Sequence, residues 1–164
     1  MAAPRVTHAI RPAAPTDAIE MARIYNDGIA ERVATFETRT KSAGELAELI
    51  EGGALVLVAE RDGEVVGQTG ITFEWSDWRN GWYWWIQSVY VREDARRAGV
   101  FSAIYRHLEA MALADPTVIG IRLYVERENA RAQATYRKLG LEDEAYFLMA
   151  RYPLPGREAH VRGE

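Results

Sequence analysis

The chain is predicted to be an α/β protein built on a mixed sheet, and three observations carry that prediction. Apolar runs rich in β-branched and aromatic residues recur through the middle of the chain, at Ala54–Glu60, Glu64–Phe73 and Trp82–Val91. Stretches with apolar residues at helical spacing flank them, most clearly Val100–Ala114. The length, 164 residues, suits one domain able to bury a real core. The order is a strand, two helices, three strands, then alternating helix and strand.

Thr7–Arg11 reads as the first strand. Thr16-Asp17 caps a helix whose inner face is expected to hold Ile19, Ala22, Ile24, Tyr25 and Ile29. Val33–Thr38 is less regular and is assigned to a pocket wall. Ser42-Ala43-Gly44-Glu45 fits a capping box opening a second short helix through Ile50. The next two strands join around Asp62-Gly63, a strong hairpin signal. Ser76–Gly81 is a polar break before Trp82–Val91. After the helix at Val100–Ala114 come a strand at Ile119–Val125, a helix from Asn129 to Leu139 and a last strand near Leu141–Tyr152, with Gly140 at a helix C-cap. A single domain is expected over residues 1–152, with 153–164 a frayed Pro/Gly/charge-rich tail.

Composition narrows the function classes. The net charge of −4 argues against non-specific nucleic-acid binding. With no Cys there is no disulfide framework, thiolate zinc site or cysteine nucleophile. His8, His107 and His160 are scattered, which speaks against a His-rich metal site. Met1–Arg5 lacks the apolar core of a secretory signal, and no apolar run is long enough for a bilayer. The expectation is a cytoplasmic protein with no metal, nucleic-acid or membrane partner.

The most informative stretch is Trp84–Phe101. Its apolar strand stops at a turn bearing Arg96, Arg97 and Gly99 and leads straight into a helix. The first N–H groups of a helix have no internal partner, and the helix dipole adds positive charge there. Such a turn is a ready site for an anion, phosphate above all.

Three pieces then line up in order. Arg96-Arg97-Ala98-Gly99-Val100-Phe101 matches most of the pattern Arg/Gln-x-x-Gly-x-Gly/Ala; the preceding strand ends Ser88-Val89-Tyr90-Val91; and Asn129–Leu141 has the form Asn-x-x-Ala-x-x-x-Tyr-x-x-Leu-Gly-aliphatic. Together they resemble the GNAT superfamily of N-acetyltransferases over roughly Thr7 to Tyr152. Ile24–Ile29, Ala34–Glu37 and Arg79-Asn80 are similar to the phosphinothricin and arsinothricin acetyltransferase branch. The chain departs from the pattern at Phe101, where the motif has a small residue. It departs also at Ile86 and Gln87, near where that branch often carries a Glu.

The resemblance implies a central, mostly antiparallel twisted sheet, splayed after the fourth strand and flanked by about four helices. It implies acetyl-CoA as cosubstrate. The pyrophosphate would lie on the backbone of Arg97, Ala98, Gly99, Val100 and Phe101, with Arg96 and Arg97 adding charge. The pantetheine arm would pair with Val89, Tyr90 and Val91, and a main-chain N–H there would polarise the thioester carbonyl. Tyr136 is the expected acid for the departing CoA thiolate. Asn129 bonds the cofactor arm or serves only as an N-cap.

A primary ammonium has a pKa of about 10 and must lose a proton before attack. Glu74, Asp77 and Glu37 are the candidate bases, Glu74 ranking first because it follows an inward-looking strand. Arg79 is a candidate clamp for a substrate carboxylate, and Phe36, Glu37 and Trp84 are assigned to the substrate pocket. The dense cluster Trp75, Trp78, Trp82, Tyr83, Trp84 and Trp85 is a pocket wall, or core and dimer contact. The expected activity is acetyl transfer to the primary amine of a small amino-acid-like substrate by direct attack in a ternary complex of a homodimeric enzyme. Two alternatives stand beside it: acetylation of protein or peptide N-termini, and a non-catalytic CoA-binding module.

Overall fold

The computed structural model describes residues 7–31 and 39–157. The chain divides into two compact units, Met1–Tyr124 and Val125–Glu164. In the first, β1 (Ala9–Pro12) is followed by α1 (Ala18–Glu31), α2 (Ala43–Glu51), β2 (Leu55–Arg61), β3 (Glu64–Ser76), β4 (Gly81–Val91), α3 (Val100–Ala114) and β5 (Val118–Leu123). The strands form one sheet in the order β1-β2-β3-β4-β5. The first three neighbour pairs run antiparallel and β4–β5 runs parallel, as expected for a mixed sheet. The second unit holds α4 (Ala130–Lys138).

Local chemistry accounts for most boundaries. Asp62 and Gly63 both have positive φ, 55° and 82°, as a two-residue hairpin turn between β2 and β3 requires. Ser42 accepts from the Glu45 N–H at 3.1 Å and Glu45 accepts from the Ser42 N–H at 2.8 Å, which completes the capping box of α2. Ahead of α1, Asp17 takes its hydrogen bonds from the Ala14 N–H and Arg11, and Arg11 also reaches Glu60 on β2. The Arg11 hydrogen bond holds the Asp17 carboxyl below its ordinary value.

The sheet is covered on both faces. On one, Ala18, Met21, Ala22 and Ile24 of α1 and Leu46 of α2 pack with Val56, Val58, Val65 and Tyr90. Gln68 marks this face by donating to the Met21 carbonyl at 2.9 Å. On the other, α3 buries Val100, Ile104, Leu108 and Ala112 in one stripe, and a Cβ on Gly67 would stand 2.7 Å from the Val100 Cγ1.

Two expectations need correction. Ile19 lies outside, 77% exposed, and the buried stripe of α1 is Ala18, Met21, Ala22, Ile24, Gly28 and Ile29. A helix face is fixed by its period, and the apolar Ile19 falls beyond this arc. Leu141–Tyr152 forms no strand, and Phe147 and Met149 are exposed. The run Ala145–Ala150 has strand composition, but composition does not make a strand without a ladder.

Gly28 lets α1 lie directly on the Tyr90 ring, because a Cβ there would come within 2.5 Å of Tyr90 Cδ1. Gly28→Ala gains about 1 kcal/mol of helix propensity but pushes α1 off the sheet. A net loss of about 1–3 kcal/mol in urea unfolding is expected, and a stabilised variant would refute this packing argument.

Candidate active site

The site grows from a mismatch in β4. Thr69 pairs with Val89 and Ile71 with Ile86, so two steps on β3 face three on β4. The extra residue is a bulge at Gln87-Ser88. On the opposite edge, β5 pairs only as far as Ile86 with Leu123. From Gln87 to Val91 that edge of β4 has no strand partner among the described residues. This is the splay expected after the fourth strand.

The ladder fixes which groups face the opening. Arg92 N–H donates to the Val66 carbonyl at 2.8 Å. Antiparallel alternation then turns the peptide groups of Tyr90 toward β3 and those of Val89 and Val91 toward the open edge. The Tyr90 ring is buried, 4.6 Å from the Tyr25 ring. Val89 and Val91 thus offer main-chain groups, while Tyr90 holds the strand to α1.

The turn beyond β4 combines two left-handed residues, Arg97 at φ 64° and Gly99 at φ 80°, before α3 begins at Val100. The Ala103 N–H bonds the Gly99 carbonyl, so the N–H groups of Val100, Phe101 and Ser102 lie before the first intrahelical bond. A Cβ on Gly99 would meet nothing within 4 Å, which leaves open space over this nest of amides. The geometry fits a bound pyrophosphate. Phe101, where the motif has a small residue, lies half-buried with its ring 6.3 Å from that of Tyr105.

The charged side chains here are largely spent on one another. Arg96 donates from Nε to the Val91 carbonyl at 3.0 Å and pairs with Glu31 at 2.6 Å. Arg92 binds Asp94 and Glu64, and its hydrogen bond holds the Asp94 carboxyl down to about 2. A cleft of about 350 Å³ opens between α1 and the turn, with Asp27, Glu31, Val91, Arg92 and Arg96 in its wall. Ala98 is half-buried and Arg97 exposed.

A second group of side chains lies on the α1 face of β3, β4 and β5. Glu74 accepts from the Trp85 indole N–H at 2.5 Å and from Arg122 at 3.1 Å. The Arg122 guanidinium lies 3.6 Å from the Tyr83 ring centroid, and Trp85 stacks on Tyr124 at 4.6 Å. Gln87, in the bulge, donates to Thr72 at 2.7 Å. Arg79 approaches the same Tyr83 ring at 5.9 Å. The structure therefore sets Glu74 against Trp85, a member of the expected aromatic cluster, and against Arg122, which the sequence does not single out, while Arg79 approaches only the Tyr83 ring. The available signal for Arg122 was a lone cation inside the otherwise apolar strand from Val118 to Leu123. Trp84 stands on the opposite face, edge-on to Phe73 at 5.7 Å, so Trp84 and Glu74 do not share a wall. Phe36 and Glu37 lie outside the described residues.

In the second unit, Asn129 caps α4 by accepting from the Ala132 N–H at 3.0 Å. Tyr136 sits on the second turn of that helix, and burial pushes its phenol above its ordinary value.

The comparisons agree with this geometry. The profile of the acetyltransferase (GNAT) family matches residues 21–141. A possible acetyltransferase from Clostridium difficile 630 is 32% identical, with 90% of this chain and 97% of that one covered at a TM-score of 0.71. A ribosomal-protein-alanine N-acetyltransferase from Brucella melitensis biovar Abortus 2308 shares the fold at 19% identity and TM-score 0.71, covering 89% of this chain and 99% of that one. So does an aminoglycoside acetyltransferase from an uncultured soil metagenomic sample, solved with sisomicin, at 13% identity and TM-score 0.70, covering 90% and 96%. No curated protein matches the chain. A splayed fourth strand, a left-handed turn opening onto a helix and a family profile over most of the chain lead to one conclusion: the chain belongs to the acetyltransferase (GNAT) family and is an acetyl-transferring enzyme.

Proposed function

We propose that this enzyme transfers acetyl from acetyl-CoA to the primary amine of a small amino-acid-like substrate. The observation that carries the reading is the open edge of β4 at Val89 and Val91, running directly into the amide nest of Arg97–Phe101. Acetyl-CoA, when bound, supplies an activated thioester. The chain's own part is to pair the Val89 and Val91 main chain with an extended arm, to hold a pyrophosphate on backbone N–H groups, and to place an amine beside that edge. Holding the two reactants together supplies much of the rate.

Glu74 is the proposed amine-side group. Both its oxygens are fixed, by Trp85 and Arg122, and its side chain remains 46% exposed at the edge of the cluster. Its proposed role is to orient an ammonium and pass its proton to water. Cationic Arg79 beside the same Tyr83 ring supports an acceptor that also carries an anionic group. Tyr136 is the proposed acid for the departing thiolate. With no Cys to carry an acetyl group, direct attack in a ternary complex is the favoured course. The exposed aromatics Phe73, Trp75, Trp78 and Trp82 support self-association as a homodimer.

Release of CoA thiol from acetyl-CoA tests the reading across phosphinothricin, methionine sulfoximine, other amino acids, polyamines, short peptides and sisomicin. Turnover concentrated on amines bearing a carboxylate or phosphinate is expected. Turnover on peptides alone would replace this reading with N-terminal acetylation, and acetyl-CoA binding without any turnover would sink it.

Tyr136→Phe should lower kcat by about a hundredfold with acetyl-CoA affinity unchanged. Equal losses in both would assign Tyr136 to packing. Burial favours the neutral phenol, so Tyr136 stays a proton donor throughout neutral pH. Its contribution to stability is present below the ordinary tyrosine range and fades as pH rises through the folded-state value. The 295 nm difference titration between wild type and Tyr136→Phe should show one tyrosine ionising above pH 10. A lower midpoint would contradict the proposed protonation state.

A further inference from the structure

We propose that Arg96 is a positioning residue of the cofactor site and not a ligand of the cofactor's phosphates. The inference rests on the acetyl-CoA reading above. Arg96 opens the phosphate-binding motif, so its charge is the natural one to assign to the anion. Its surroundings assign it elsewhere. Nε donates to the Val91 carbonyl at 3.0 Å, and Nη1 stands 2.6 Å from Glu31 Oε2 at the end of α1.

The Val91 carbonyl belongs to the last peptide of β4, whose N–H, on Arg92, is bonded to Val66 at 2.8 Å. That peptide is therefore held at both ends, by β3 and by Arg96. Its orientation sets where β4 stops and where the turn toward Gly99 begins. Through Glu31, the same guanidinium ties the end of α1 to this junction. One side chain thus joins the open strand edge, the anion-binding turn and the helix covering the other face.

Electrostatics point the same way. A phosphate approaching Arg96 would also approach the Glu31 carboxylate, and taking the guanidinium would break an ion pair whose side chains are only 27% and 35% exposed. The cleft on that side is lined by three basic residues, Arg23, Arg92 and Arg96, against four acidic ones, Asp27, Glu31, Glu93 and Asp94. It has no excess of positive charge to offer. An anion is better met by the backbone amides beyond Arg97, whose side chain is exposed.

The test compares calorimetric Kd values for acetyl-CoA and for S-acetylpantetheine, which lacks the pyrophosphate and nucleotide. Arg96→Met loses the donor to Val91 and should weaken both ligands by the same factor, about tenfold, equivalent to about 1.4 kcal/mol. Arg96→Gln keeps an N–H donor without charge and should hold both affinities within about twofold of wild type. Arg97→Met should weaken acetyl-CoA alone. If Arg96→Met and Arg96→Gln both weaken acetyl-CoA and leave S-acetylpantetheine unchanged, Arg96 is a phosphate ligand and the proposal is overturned. Should Arg96→Met fail to fold, Arg96→Gln still decides: selective loss of acetyl-CoA refutes the proposal, and retention of both ligands supports it. A wild-type protein that binds neither ligand would remove the acetyl-CoA reading itself, and this inference with it.

Discussion

The constraint on which the site depends is the unequal length of β4 and its partners. β4 carries one residue more than its register with β3 can absorb, and it runs five residues, Gln87–Val91, past its last pairing with β5. Main-chain N–H and C=O groups left without a ladder cost free energy unless something satisfies them. At Val91 the chain meets part of that demand with Arg96. The remaining groups at this edge have no strand partner among the described residues, and in the proposed reading an extended ligand with alternating donors and acceptors would pair with them. Binding of this kind is selected by backbone geometry, and it places few demands on side-chain identity at Val89 and Val91.

The same economy explains the electrostatics. Three arginines near the site each take a carboxylate: Arg92 with Asp94, Arg96 with Glu31, Arg122 with Glu74. Partly exposed pairs of this kind add little to stability. Their effect is orientation, since each fixes a side chain or a peptide at a strand end. Positive potential for an anion then comes from the amides at the start of α3 and from the helix dipole, where it is aimed at one spot. A protein of net charge −4 can hold a polyanion this way without a basic surface.

Much of this was legible in the sequence. The hairpin at Asp62-Gly63, the capping box at Ser42 and the turn leading into Val100 are local signals, written within a few residues, and local physics decides them. What could not be read was non-local. Arg96 reveals itself as a strut only once Glu31, far earlier in the chain, is beside it. Arg122 stands out in the sequence only as a lone cation in an apolar strand, and its partners Tyr83 and Glu74 lie far away in the chain. At Leu141–Tyr152 composition favoured a strand, but a strand needs a partner that composition does not supply.

The bulge also decides which face of the sheet each of Trp84 and Trp85 takes. In an unbroken strand, residues an even number apart share a face, so Trp84 would join Tyr90 and Trp85 would oppose it. The partners show the reverse. Trp85 pairs with Thr72 and Tyr90 with Gln68, and Thr72 and Gln68 lie four residues apart on β3, hence on one face. The extra residue at Gln87-Ser88 inverts the count, bringing Trp85 and Glu74 onto the same side as Tyr90 and α1. That single insertion does two things at once. It turns the Val89 and Val91 peptides toward the open edge, and it sets the polar cluster of Glu74, Trp85 and Arg122 on the α1 face. The two halves of the proposed reaction are therefore coupled by backbone register, so removing one residue from the bulge would disturb both together.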